Sequence, residues 1–126
     1  MSVQLLKEMF ERMVIEKNAD LLPDYYHPDF HMISNGRDQD YPAFAESHRK
    51  VYLTPISYAV SYDEEAWVET TDRVAGRMWI TTARPDEDST TMEIMLIATF
   101  LGGRLYRLWE LTWPDWSALK AFENYG

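Results

Sequence analysis

Residues 90–116 read TTMEIMLIATFLGGRLYRLWELTWPDW, and this stretch decides the fold. It begins as a long apolar strand over 90–101 and turns at Leu101-Gly102-Gly103-Arg104. It returns as a second strand over 104–112 that runs on to Trp116. Paired glycines between two runs of strand-forming residues are a hairpin signal, because glycine takes the positive φ angles that a tight turn needs. With regular alternation, Phe100 and Leu105 face the same way across the turn. That face then holds Met92, Ile94, Leu96 and Ala98 on one strand and Arg107, Trp109, Leu111 and Trp113 on the other. Apolar and aromatic, it is assigned to a concave interior. The opposite face carries Glu93, Met95, Ile97 and Thr99 with Tyr106, Leu108, Glu110 and Thr112. Such a patch is too apolar for a monomer surface, so a second copy is expected to cover it.

Upstream of the hairpin the period stays at two. Residues 56–62 and 67–84 read as strands, separated by the polar turns Asp63-Glu64-Glu65 and Pro85-Asp86-Glu87-Asp88. The first third is different. Leu6, Met9, Phe10, Met13 and Val14 recur at helical spacing over 2–17, which predicts an amphipathic helix. Asn18 caps a short second helix through about Tyr25, and Pro28 keeps His27 out of the helical region. Residues 29–34 form a short strand before the turn Asn35-Gly36. Asp40 then caps a helix that carries Phe44, His48, Val51 and Tyr52 on one face and stops at Pro55. Asp115 caps a last short helix over 116–122. Helices first and long, sequentially linked strands afterwards give the α+β class, with N-terminal helices on a mostly antiparallel sheet. Strands this long must twist. A strongly curved sheet with helices across its concave side encloses a cone-shaped barrel with an interior cavity.

Composition narrows the function classes. The chain has 126 residues, enough for one packed core, and shows no repeat or linker, so one domain over 1–126 is expected. A formal net charge of −9 argues against nucleic acid and anionic membranes as partners. The absence of cysteine excludes disulfides, thiol catalysis and zinc–thiolate sites. No signal-like segment and no long apolar run are present, so a soluble cytoplasmic protein is expected.

Three stretches carry a resemblance. They are Tyr26-His-Pro-Asp-Phe30 with Asn35-Gly36 after it, Asp72-Arg-Val-Ala-Gly-Arg77, and Phe100-Leu-Gly-Gly-Arg-Leu-Tyr-Arg-Leu-Trp109-Glu110. In order and spacing they resemble the nuclear transport factor 2-like superfamily in its SnoaL-like branch. The resemblance implies a cone-shaped α+β barrel with an interior cavity and dimers formed through the sheet. The family holds isomerases, cyclases, epoxide hydrolases, dehydratases and non-enzymes, so fold alone does not select a function. Its isomerase-type members keep an Asp just before the turn after the first strand, where this chain has Ser34 or Asn35. Its cyclase-type members keep an Asp near the end of the last strand, where Trp113 falls, with Asp115 two residues on.

Among the three histidines, His48 is the first candidate to carry a proton, since imidazole exchanges one near pH 7. His31 is the second, with its strand face undecided. His27 reads as a surface or capping residue. Arg77, mid-strand in apolar surroundings, needs a partner: Glu93 or Glu110 outside, or an anionic or carbonyl group of a ligand inside. Trp79, Trp109, Trp113 and Tyr58 are candidate ligand walls. Glu93 and Glu110 share the outer face and read as salt-bridge residues. No metal is expected, because no histidines share ligand spacing on a helix, and no nucleotide cofactor is expected, because no glycine-rich phosphate loop is present. The sequence leaves two functions open. One is a cone protein that binds a hydrophobic small molecule, as a lyase, isomerase or cyclase type of enzyme. The other is a non-catalytic dimeric binding or interaction module whose cavity is filled by its own side chains.

Overall fold

The computed structural model describes residues 2–119. Helix α1, Ser2–Met9, continues as a π-helical segment, Phe10–Ile15, and buries Leu6, Met9, Met13 and Val14. Lys17 adopts a positive φ and ends it. The Asn18 side chain accepts the Asp20 amide hydrogen at 3.2 Å and starts a 3-10 turn, Ala19–Leu21, that leads into α2, Leu22–Tyr25. Helix α3, Tyr41–Tyr52, follows Asp40, whose carboxylate caps the Ala43 amide at 3.1 Å. Pro42 sits in the first turn, where its missing N–H costs nothing, and Arg49 and Lys50 sit in the last, where the helix dipole favours cations. No helix among the described residues is long and apolar enough to cross a membrane.

Seven strands form one curved, mixed sheet: β1 Tyr26–Ser34, β2 Arg37–Asp40, β3 Ser57–Tyr62, β4 Val68–Glu69, β5 Arg73–Ala83, β6 Thr90–Leu101 and β7 Arg104–Trp113. Their order is β2-β1-β7-β6-β5-β3, with β4 also on β5. Every pairing is antiparallel except β1 with β7, which is parallel. The α+β class is therefore as expected, with a correction. The sheet is not a closed barrel, because it ends on two short edge strands, β2 and β3, that do not pair with each other. The single strand expected over 67–84 is two, broken at Thr70-Thr71-Asp72. The last helix expected over 116–122 is a 3-10 turn, Trp116–Ala118, as far as the described residues reach; residues 120–122 lie outside them.

The concave face is the core. It takes Val74, Gly76 and Met78 from β5 and Met92, Ile94, Leu96, Ala98 and Phe100 from β6, all buried. Tyr26, Phe30 and Phe44 pack ring against ring at 4.8–4.9 Å between α3 and β1. Gly76 is there for a steric reason. A Cβ at this position would lie 2.2 Å from the Trp67 indole, which packs flat on the bare backbone. Arg77 and Trp79 alternate outward from these inward residues, which answers a question that the sequence leaves open.

The hairpin itself holds the main correction. Pairing runs regularly from Glu93↔Trp113 to Thr99↔Arg107 and then shifts, so that Phe100 pairs with Leu105. Tyr106 is the extra residue of a β-bulge. One inserted residue reverses every side chain beyond it, because strand faces alternate with a period of two. Leu105 stays inside as expected, but Leu108, Glu110 and Thr112 now face inward. Trp109, Leu111 and Trp113 face outward, 41%, 66% and 76% exposed.

Candidate functional site

The inward turn of β7 completes a cavity of about 110 Å³ between the sheet, α1 and α3. Its walls are mostly apolar, with Met9, Met32, Met92, Ile94 and Leu96 among them. Among the described residues, five lining side chains are ionisable, Glu110, His48, Tyr26, Tyr52 and Tyr58, and none is a lysine or arginine.

Glu110 is the residue that sequence reasoning missed, since alternation placed it outside. It is partly buried, paired in register with Ser34 across the parallel β1–β7 ladder. Ser34 is fully buried, and its hydroxyl donates to Glu110 Oε1 at 2.9 Å. Burial pushes the Glu110 carboxyl above the ordinary range, and the Ser34 hydrogen bond pulls part of the way back. The same carboxyl raises Tyr26, whose hydroxyl is held up first by burial and then by the charges of Glu110 and Tyr41. Two signals in the sequence point to this arrangement. One is Arg107, a charge that regular alternation would have placed beside Leu105 in the interior. The other is Ser34, a small hydroxyl residue at the end of a strand whose other inward positions, Phe30 and Met32, are apolar.

The turn beyond β7 closes over this corner. Asn35 Nδ2 donates to Thr112 Oγ1 at 2.7 Å, and the Thr112 amide donates to Asn35 Oδ1 at 2.9 Å. Thr112 Oγ1 also accepts the Trp116 amide at 3.2 Å and donates to the Pro114 carbonyl at 3.1 Å. Asp115 caps the Ser117 amide at 2.9 Å, as its sequence position predicts. Trp116 thereby becomes part of the cavity wall, with its indole Nε1 donating to Ser34 Oγ at 2.7 Å.

His48 lines the cavity from α3. Its Nδ1 lies 2.9 Å from the Phe44 carbonyl, and a carbonyl only accepts, so Nδ1 carries the hydrogen and Nε2 holds the basic lone pair. Burial pushes its pKa down to about 4, with the Phe44 bond opposing, so the ring is neutral at pH 7. It stacks in a row with Phe44, at 4.0 Å, and Tyr52, at 5.5 Å, and Tyr52 in turn meets Tyr58 at 5.9 Å. Burial raises the Tyr58 hydroxyl as well, so it too stays protonated.

The remaining candidates are elsewhere. His31 is on the outer side of β1, 2.9 Å from Asp38 and away from the cavity, because Phe30, Met32 and Ser34 take the inward positions. Arg77 is outside too. Its Nε donates to Glu93 at 2.6 Å and its Nη1 to Asp63 at 3.0 Å, and its guanidinium stacks 4.6 Å over Trp79. Arg77 and Trp79 thus form a surface cluster, and with Trp109 and Trp113 they are outside the cavity lining. Of the ligand walls expected from sequence, Tyr58 lines the cavity. The physical reason is one bulge on β7 and the outward phase of β5.

No protein-family model matches the chain, and no curated protein matches it in sequence. Solved structures do match. IdmH from Streptomyces antibioticus, described as a proposed polyketide cyclase, has a TM-score of 0.67 at 14% identity over 87% of this chain and 90% of that one. A proposed isomerase from Rhodopseudomonas palustris has a TM-score of 0.73 at 12% identity over 89% of each chain. An NTF2-like protein of unknown function from Exiguobacterium has a TM-score of 0.65 at 19% identity over 86% of this chain and 97% of that one. At these identities the likeness is one of fold alone: the chain shares the α+β fold of these solved structures.

Proposed function

We propose that this protein binds a small, uncharged, largely apolar molecule in the cavity and moves a proton on it, as a lyase, isomerase or cyclase type of enzyme. One observation carries the reading: a carboxyl group, Glu110, held by a buried serine inside a mostly apolar cavity with no cation among its described lining residues. A lining with no cation among its described residues disfavours anionic ligands, since nothing there repays their desolvation. A cavity of about 110 Å³ is smaller than the volume of about 150 Å³ that accommodates benzene, so it encloses a short branched chain or part of a ring. A larger ligand would leave its remainder in the mouth.

The two pKa shifts support a division of labour. A carboxyl pushed up and an imidazole pushed down are both shifted towards their neutral forms, one suited to give a proton and the other to take one. On a ketone, Glu110 would protonate the carbonyl oxygen while His48 Nε2 removes a proton from the neighbouring carbon. The enol so formed returns to a ketone when His48 delivers its proton to carbon and Glu110 recovers the one on oxygen. The cyclase and isomerase descriptions of the structural neighbours agree with such a step.

Solvent-deuterium incorporation into cyclohexanone, followed by proton NMR, tests it. Wild-type protein should accelerate exchange at the α-carbon, and Glu110→Gln should lose about 10²-fold or more of that acceleration. Thermal-shift titration with phenol and benzoate tests the ligand class. Stabilisation by phenol and none by benzoate is expected; equal stabilisation by benzoate would sink the uncharged-ligand reading.

The outer face supports a second proposal, that two copies pair through the sheet. Met95, Ile97, Trp109, Leu111 and Trp113 lie together there, each at least 41% exposed. Sedimentation velocity should show a dimer at micromolar concentration that Trp113→Lys converts to monomer. A wild-type monomer at high micromolar concentration would end this proposal.

A further inference from the structure

The geometry points to Trp116 as a positioning residue that acts through Ser34 to fix which oxygen of Glu110 carries the proton. It deepens the reading of Glu110 as the proton-handling group and rests on it. The argument is one of donors and acceptors. An indole N–H donates and never accepts. Trp116 Nε1 lies 2.7 Å from Ser34 Oγ, so that oxygen is the acceptor. A serine hydroxyl has one hydrogen, and the other partner at hydrogen-bond distance is Glu110 Oε1 at 2.9 Å. The hydroxyl hydrogen is therefore directed to Oε1. A carboxyl oxygen that receives this bond is the poorer place for a proton, so the Glu110 proton belongs on Oε2. The chain runs one way, from Trp116 through Ser34 to Glu110.

Two further features give this arrangement a use. Trp116 lines the cavity alongside Glu110, so a bound molecule touches the first and last members of the relay. Trp116 also comes from the turn after β7, tied by its own amide to Thr112 and flanked by Arg37, whose guanidinium is 5.8 Å from the indole ring. The turn that closes the cavity corner therefore also sets the acid. A ligand that shifted Trp116 would release the Ser34 hydroxyl and change how firmly Glu110 holds its proton.

Among the described residues, the other titratable and charged groups near the relay are Tyr26 from β1, Tyr41 at the start of α3, His48 in the same lining, and Asp115 with Arg37 at the turn. Burial pushes Tyr26 up and His48 down.

NMR on the ligand-free protein tests the inference, so it can fail or stand whether or not the cavity binds a molecule. The side-chain carbon of Glu110, assigned with Glu110→Gln, gives its titration, and the indole N–H of Trp116 gives the far end of the relay. In wild-type protein the Trp116 indole signal should follow pH with the Glu110 midpoint, and Glu110→Gln should abolish that response. Trp116→Phe keeps the ring and removes the donor; the Glu110 midpoint should rise, because the Ser34 hydroxyl is freed to turn away. Ser34→Ala should raise it further, and the double variant should equal Ser34→Ala alone. A Trp116 that only packs would leave the Glu110 midpoint unchanged in Trp116→Phe and show no indole response at that midpoint. Either result overturns the proposal. The wild-type indole titration decides the matter even if a variant fails to fold.

Discussion

Glu93 and Glu110 are on the two strands of one ribbon, and regular alternation would put them on the same face. In the structure they are on opposite faces and behave as different chemical groups. Glu93 meets the Arg77 guanidinium at 2.6 Å in a half-exposed cluster with Asp63 and Trp79. Glu110 meets a neutral serine hydroxyl inside an apolar cavity, and burial raises its pKa. A carboxylate beside a cation in water keeps its charge and holds two strands together. The same carboxylate without a cation tends to keep its proton, which makes it useful in proton transfer. One bulge residue separates these outcomes.

The sharpest contrast between the two faces is between sequence neighbours on β6. Leu96 is 5% exposed and Ile97 is 53% exposed. Leu96→Ala should cost about 2–5 kcal/mol in urea denaturation, the range for buried leucine truncations. Ile97→Ala should stay within about 0.5 kcal/mol at low protein concentration. A larger Ile97 effect that grows with concentration would identify that residue as part of a dimer contact, and equal costs at all concentrations would break the assignment of faces.

His48 makes the inner face acid-sensitive. With a folded pKa of about 4 against an unfolded value of about 6.5, the unfolded chain binds the extra proton between these limits. Stability from the neutral ring is therefore complete above pH 6.5 and lost as pH falls through 4, by up to about 3 kcal/mol. His48→Phe should flatten this part of the stability curve in pH-dependent denaturation. An unchanged curve would mean that the ring is already solvated.

Gly76 and Ala75 repeat the contrast on β5. Gly76→Ala places a methyl group within 2.2 Å of the Trp67 indole and should cost about 1–3 kcal/mol, with a change in Trp67 fluorescence. Ala75→Ser, one residue away on the outer face, should leave both readouts alone.

The smallest effects return to the two glutamates. The raised folded pKa of Glu110 means that the folded state holds its proton more tightly than the unfolded chain. Its contribution is unopposed below the unfolded glutamate pKa of about 4.3 and becomes a cost as pH rises through the folded value. Glu110→Gln should therefore melt higher than wild type at pH 8, with the gap closing towards pH 4. Glu93→Gln should melt slightly lower at neutral pH through loss of its contact with Arg77, with the difference removed by 1 M salt, which screens exposed pairs.

Much of the architecture is legible in the residues alone. The apolar period of 3.6 in the first helix, the caps at Asn18, Asp40 and Asp115, the Gly102-Gly103 turn and the inward row of β6 are local features. Each depends on a few neighbouring side chains and backbone angles. His48 also declares its side of α3, because a helix face is fixed by spacing from Phe44 and Val51. The β7 face is another matter. Leu105, Trp109, Leu111 and Trp113 make a better apolar row than Leu105, Leu108, Glu110 and Thr112, so a pattern read along the strand chooses the wrong set. Strand pairing makes the choice instead. Residues 31–34 pair in parallel with 107–110, which brings Ser34 beside Glu110, while Ala98 pairs with Leu108 on the other side. Satisfying both neighbours leaves Tyr106 over as a bulge. The sequence by itself determined the α+β class, the element order and a concave apolar interior, because those follow from periodicity and turn chemistry. Only the tertiary structure decided that the interior holds a carboxyl group and that Trp79, Trp109 and Trp113 are outside it. That outcome depends on the register between strands distant in sequence, and the alternation within one strand does not contain it.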